Sequence, residues 1–347
     1  MKLFTVATLV TLAAAAPSIA PNPKVNVKLE MQENSKVKAT VSNPTGESIK
    51  ILKTGSILDS APVQKASVSN EGSKVAFEGI RVFMGPQAEE SNFQIIPAGE
   101  SVEVTFDIAE IYNLSNGGSF DVQSNGQLSY AKSGDITKLG YISFESNKLN
   151  THVDGAAAAA SYSSFHQMMK RETIRSDCTG SKLTAVQTAS KNIRDIATKA
   201  AEGARSGPAK KMTEYFESAS QQTRNVVAGA FDKMAKLYST SGGKPDVYCT
   251  DRASNCQGGV VAYTLPSQNY IVYCPTWFSS YQPLDRTCRK VDQAHIAVHE
   301  STHLSLVKGT SDYNTYGYAN SINLPASQNL NHADTYAYFA HDTLSGC

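Results

Sequence analysis

The chain has 347 residues, 41% hydrophobic and 18% charged, which is long enough for two domains with their own cores. That mix excludes a wholly disordered or collagen-like chain. Lys+Arg number 32 and Asp+Glu 31, a net charge of +1, so the whole-chain charge points neither to nucleic acid nor to a membrane surface.

Met1-Lys2-Leu3-Phe4 opens a short basic region, an apolar run reaches Ala16, and Ser18-Ile19-Ala20 fits a small-residue cleavage site. The pattern predicts a signal peptide over residues 1–20 and a secreted, extracellular product with no membrane anchor. Export permits disulfides. The six cysteines, Cys178, Cys249, Cys256, Cys274, Cys288 and Cys347, all follow residue 171, so three bridges are expected, with their pairing open.

From residue 21 to about 150 the chain alternates apolar and polar residues, as in Lys24–Glu30, Lys36–Val41 and Ser101–Ile108. Period two predicts strands, and Gly- and Asn-rich turns between them predict an antiparallel, sandwich-like arrangement. Residues 151–171 change character: the alanine run Ala156–Ala160, then Ser-rich sequence, then Lys170-Arg171. This reads as a linker ending in a dibasic processing site. Residues 21–171 are then a β-rich propeptide cut by a kexin-like protease, and 172–347 the mature domain.

Residues 181–240 carry apolar residues at helical spacing, among them Ala185, Ala189, Ile193, Ile196 and Ala200, and predict helices broken at Gly207-Pro208. Gly258–Leu265 and Tyr270–Tyr273 predict a small hairpin. Helical character returns from about Asp292 to Val307. The mature domain is therefore expected to be mainly α with a small β-hairpin or sheet.

The chemistry sits in His299-Glu300-Ser301-Thr302-His303. Residues four apart share a helix face, so both imidazoles can bind one Zn²⁺, one ion per chain, with Glu300 near enough to act as general base. A catalytic zinc needs a third protein ligand. Position 309, six residues after His303, is a glycine, and no Glu follows Glu300. The remaining donors are Asp312, Asp334, Asp342, His332, His341 and His295. Three ligands on one straight helix would span roughly 11–12 Å, which disfavours His295 and favours an Asp from a loop.

Gly309-Thr310-Ser311-Asp312 followed by Tyr316-Gly317-Tyr318 resembles the aspzincin signature of the deuterolysin family of fungal neutral proteases. The layout of signal, cysteine-free propeptide, dibasic site and six-cysteine domain is similar too, as are Ala262–Ser267 and Asn331–Tyr336. The resemblance implies a zincin-like fold, His299, His303 and Asp312 as zinc ligands and Glu300 as general base. It further implies a transition-state role for Tyr316 (Tyr318 being the other candidate) and the pairs Cys178–Cys249, Cys256–Cys274 and Cys288–Cys347. Here the Tyr stands four residues after the Asp, where the family usually has three. Asp334 is expected to orient a ligand or line a substrate pocket.

The expectation is a monomeric, zinc-dependent metalloendopeptidase acting on proteins and peptides and inhibited by its own propeptide, with no nucleic-acid or membrane partner. Two alternatives stand beside it. One is a peptidyl-Lys metalloendopeptidase of the same clan, which needs an acidic pocket. The other is a non-catalytic secreted zinc-binding protein, against which the intact Glu300 argues.

Overall fold

The computed structural model describes residues 23–85, 88–171, 177–239, 245–251 and 253–347. The expected signal peptide and the expected new amino terminus at Glu172 lie outside the described residues. Among the described residues no helix is long and apolar enough to cross a membrane.

The amino-terminal part carries β1 (Asn26–Glu33), β2 (Lys36–Ser42), β3 (Ile49–Leu52), β4 (Ser67–Asn70), β5 (Ser73–Lys74), β6 (Arg81–Met84), β7 (Phe93–Ile96) and β8 (Ser101–Asp107). A short helix α1 (Ile108–Ile111), β9 (Gly118–Gln123), β10 (Asn125–Ala131), β11 (Leu139–Glu145), β12 (Leu149–Val153) and helix α2 (Gly155–Arg171) follow. Alternation sets the strands: in β2, Val37, Ala39 and Val41 are buried while Lys36, Lys38 and Thr40 are not. The strands form three antiparallel sheets, ordered β1-β2-β8, β11-β10-β3-β7 and β12-β9-β4-β5, where a sandwich is expected from the sequence. Strands as short as β3, β4 and β7, four residues each, cannot span a broad sandwich face, and the sheets stay small.

The expected linker is a helix. Asp154 Oδ1 accepts the Ala157 N–H at 2.9 Å, capping α2, and Ala156–Ala160 are the strongest helix formers.

The carboxyl-terminal part comprises α3 (Gly180–Ser206), α4 (Ala209–Phe216), α5 (Gln221–Leu237), β13 (Asp246–Tyr248), β14 (Val260–Leu265), β15 (Tyr270–Tyr273) and α6 (Pro275–Ser280). Then come α7 (Gln293–His303), α8 (Tyr318–Ser321), α9 (Ala326–Asn329) and α10 (Ala333–Ser345). Small residues on α3, such as Ala197, Ala200 and Ala204, are buried in the helical core. At Gly203 a Cβ would come within 2.6 Å of Thr343 Cγ2, so the glycine lets α3 and α10 close on each other.

The expected hairpin is β14–β15, antiparallel, with β13 joined parallel to β15. A fourth strand comes from the other half of the chain: β6 pairs antiparallel with β14. The sheet alternates between two cores. Ala262, Ile271 and Tyr273 face the helices, while Tyr263, Leu265, Tyr270 and Val272 pack into the core of the amino-terminal part.

Three disulfides pin the loops: Cys178–Cys249, Cys256–Cys274 and Cys288–Cys347. Each contributes roughly 2–4 kcal/mol.

Candidate active site

Helix α7 is buried along its whole length, so its position is set by neighbours and by its ends. At the start, Asp292 Oδ1 accepts the His295 N–H at 2.7 Å. Asp292 Oδ2 accepts the Asp285 N–H at 2.6 Å and pairs with His341 Nε2 at 3.2 Å. At the end, Leu304 leaves the helix with φ −55 and ψ 132. Gly309, at φ +70, turns the chain back, and the N–H groups of Gly309 and Thr310 reach Thr302 O at 3.0 and 3.2 Å. Only glycine takes that backbone without strain.

The returning chain then docks on the start of α10. The Ser311 N–H donates to Asn331 O at 2.9 Å and the Ala333 N–H to Ser311 O at 3.1 Å, a parallel bridge between Ser311 and His332. This bridge brings Asp312 to the histidines.

His299 Nε2 and His303 Nε2 lie 3.1 Å apart, and Asp312 Oδ1 lies 3.1 Å from the first and 3.2 Å from the second. The other ring nitrogens are engaged: His299 Nδ1–H donates to Asp334 Oδ1 at 2.8 Å, and His303 Nδ1–H donates to Thr310 O at 3.0 Å. Both Nε2 atoms therefore face Asp312, each able to ligate a metal once unprotonated. Asp312 Oδ1 has no hydrogen-bond donor among the described residues. Three acceptors facing one another at this spacing repel unless a proton or a metal cation lies between them. Their separations suit ligands about 2.0–2.2 Å from one tetrahedral ion, so His299, His303 and Asp312 can hold a metal.

Glu300, next to His299 on α7, is buried. Its Oε2 accepts the Thr264 hydroxyl at 2.5 Å, and its Oε1 has no partner among the described residues. Burial pushes its pKa up to about 8, and a bound dication would bring it down again. Burial would also raise Asp312, but His303 and His299 hold it well below the usual carboxylate range. Thr264 lies in the segment singled out in the sequence, but its contact with Glu300 is visible only in the fold.

The competing donors lie outside this group. Asp342 accepts the Tyr215 hydroxyl at 2.6 Å and the Arg289 N–H at 2.8 Å. His332 Nε2–H donates to Thr315 O at 2.9 Å, and His341 pairs with Asp292. His295 is buried with its Nε2 3.7 Å from Asp334 Oδ1, outside the three-atom group. Asp334, 1% exposed, uses one oxygen on His299 and the other on the Gly317 N–H at 2.7 Å. Both of its oxygens are thus engaged within the site.

Tyr313 and Asn314 both adopt left-handed backbone, φ 51 and 50. That turn lies between Asp312 and Tyr316. The Tyr316 ring lies along His299, centroids 6.4 Å apart and planes at 27°, and its hydroxyl donates to Val82 O at 2.9 Å. Tyr318 points elsewhere: its hydroxyl bonds the Glu214 carboxylate, and Arg289 stacks on its ring at 3.9 Å. Phe83, which sequence reasoning did not single out, stands edge-on to His299 with centroids 4.8 Å apart.

The sequence matches the family described as deuterolysin metalloprotease (M35) over residues 1–347. It is 44% identical over 325 residues to a neutral protease 2 homolog of Colletotrichum graminicola, covering 93% of this chain and 92% of that protein. It is 37% identical over 338 residues to neutral protease 2 of Aspergillus oryzae, covering 96% and 95%. Against penicillolysin of Penicillium citrinum the identity is 36% over 327 residues, covering 93% and 92%. Among solved structures, a zinc peptidase from Grifola frondosa aligns at 20% identity with a TM-score of 0.40, over 48% of this chain and 97% of that one.

Proposed function

The chain belongs to the deuterolysin metalloprotease (M35) family, and we propose that it is a secreted zinc endopeptidase made as a precursor and activated by a cut after Lys170-Arg171. The observation that carries the catalytic reading is the convergence of His299 Nε2, His303 Nε2 and Asp312 Oδ1, 3.1–3.2 Å apart. In this reading they hold one zinc per chain.

When bound, zinc supplies Lewis acidity, lowering the pKa of water towards 7 and polarising the scissile carbonyl. Glu300 takes the proton of the attacking water on its unpartnered Oε1 while Thr264 holds Oε2. The water oxygen adds to the carbonyl carbon, the C–N bond breaks, and Glu300 returns the proton to the leaving amine. No acyl-enzyme forms. The Tyr316 hydroxyl, once released from Val82 O, donates to the developing oxyanion. Asp334 and Thr310 keep the two imidazoles turned with Nε2 towards the metal.

The apolar run before Ala16 and the three disulfides support export. Residues 21–171 act as the propeptide, a kexin-like protease as its processing partner, and the mature enzyme works as a monomer on proteins and peptides. The peptidyl-Lys reading loses its candidate acidic residue, because both Asp334 oxygens are engaged.

Casein hydrolysis by the protein purified from culture medium, with and without chelator, tests the activity. Amino-terminal sequencing of the same sample tests the processing. Chelator-insensitive hydrolysis, or a start well inside 181–240, contradicts the corresponding half of the proposal.

A further inference from the structure

The strip beside the catalytic helix is already taken by the chain itself. β14 carries Thr264, the residue that holds Glu300, and its outer edge pairs with β6 through Val260–Met84, Ala262–Phe83, Tyr263–Val82 and Thr264–Arg81. The pairing continues as the Gly85 N–H donates to Gly259 O at 3.0 Å. Side chains alternate along a strand. Phe83 therefore points to the helix side, 4% exposed, with its ring edge-on to His299 at 4.8 Å and to Tyr316 at 6.2 Å. Val82 points the other way, into the amino-terminal core, but its carbonyl accepts the Tyr316 hydroxyl at 2.9 Å.

The loop that carries Asp312 and Tyr316 is held by the same part of the chain. The Thr315 hydroxyl donates to Gln127 Oε1 at 3.0 Å, Asn314 Nδ2 donates to Gln127 O at 3.2 Å, and Asn320 Nδ2 donates to the Tyr141 hydroxyl at 2.9 Å.

We propose that β6 is the inhibitory segment of the precursor, adding a strand to the β14 edge and seating Phe83 against His299 on the strip that an extended substrate peptide takes after processing. The inference rests on the endopeptidase reading above. An extended peptide on a sheet edge draws affinity from main-chain hydrogen bonds and selectivity from alternate side chains. Covalent linkage gives β6 an effective concentration of order millimolar at that edge, so even a weak strand keeps it closed. A cut after Arg171 makes the contact bimolecular, and dilution outside the cell then releases it. The freed strip should prefer a peptide with a large apolar side chain where Phe83 stands.

The test uses the full-length precursor and the processed enzyme. The precursor carries Arg171→Ala, is checked as uncut by mass, and is compared with versions that add Phe83→Ala or Phe83→Asp. Hydrolysis of a fluorogenic peptide is expected below about a hundredth of the processed rate for Arg171→Ala alone. Either Phe83 change should raise it at least tenfold, and further addition of Glu300→Gln should silence it. In parallel, a synthetic peptide of residues 77–85 is added to processed enzyme. It should raise apparent KM and leave kcat unchanged, and its Phe83→Ala form should be at least tenfold weaker. The labelled peptide should also bind processed Glu300→Gln enzyme by fluorescence anisotropy, a readout free of turnover.

An uncut precursor as active as processed enzyme overturns the proposal, and so does a peptide that neither inhibits nor binds. If the Phe83 variants do not fold, the peptide measurements decide. A processed enzyme with no chelator-sensitive hydrolysis contradicts the endopeptidase reading instead, while peptide binding still reports on the β14 edge.

Discussion

Asp334 Oδ1 lies 2.8 Å from His299 Nδ1. That one contact turns the imidazole so that its other nitrogen faces His303 and Asp312. Asp334 also accepts the Gly317 N–H at 2.7 Å, so a single buried carboxylate joins α7, α10 and the loop bearing Tyr316.

The two aspartates should separate by what their loss does to the metal. Asp312→Ala removes a ligand and should lose most of the zinc along with activity. Asp334→Ala removes only the partner of a ligand and should weaken zinc by about 10–100-fold. Metal content of the two variants after identical dialysis checks the order; full zinc in the first with none in the second would exchange the roles.

Glu300→Gln keeps size and the Thr264 contact but cannot take a proton. Zinc content should stay near one per chain while kcat falls by at least about 10²–10⁴-fold, the usual scale for a general base. Thr264→Val should cost less, because it loosens the base without removing it. Hydrolysis by the Gln variant near the wild-type rate would move the base elsewhere.

Of the two tyrosines, only Tyr316 should matter for turnover. Tyr316→Phe should lower kcat about 10²-fold with KM little changed, as for a lost oxyanion donor. Tyr318→Phe, which loses the Glu214 contact, should leave kcat near wild type. Steady-state kinetics on the processed enzyme checks the pair.

Zinc affinity should rise with pH. Burial opposes charge on His299, but Asp312 and Asp334 raise its pKa to about 10 in the metal-free protein. The ring is then protonated at pH 7 and must release that proton to ligate. Glu300, raised by burial to about 8, adds a second release as the dication arrives. Between pH 6 and 8 the logarithm of the zinc association constant should climb by about one to two per pH unit. Chelator competition at several pH values measures the slope, and a flat line would refute the protonated apo site.

His341 links pH to stability at the start of α7. Burial alone would lower its pKa, but Asp292 and Asp342 raise it to about 9. The folded value exceeds the ordinary value near 6.5. The stabilisation is therefore complete below pH 6.5 and is lost as pH rises through 9. His341→Gln should lower Tm by roughly 5 °C at pH 6, and the gap from wild type should close by pH 9.5. Melting curves of zinc-loaded protein check it.

Local rules made much of this protein readable without its fold. Helical spacing put His299 and His303 on one face, period two marked β2 and β8, and Gly309 announced the turn that returns Asp312. These features depend on residues a few positions apart, where backbone geometry leaves few choices. Helix α2 was legible too, in Asp154 and the alanines, yet a Ser-rich stretch with a dibasic end reads equally as a linker. What stayed hidden depends on distant segments meeting. Nothing local in Arg81–Met84 says that it leaves its neighbours to pair with β14, or that Phe83 will stand against His299. The resemblance singles out Asp334, but no spacing rule separates it from Asp342 and His332, all near one another in the chain. Only the docking of α10 on α7 and of Ser311 on His332 turns one towards His299 and the others away, because long-range packing, not spacing, decides which buried polar atoms face each other.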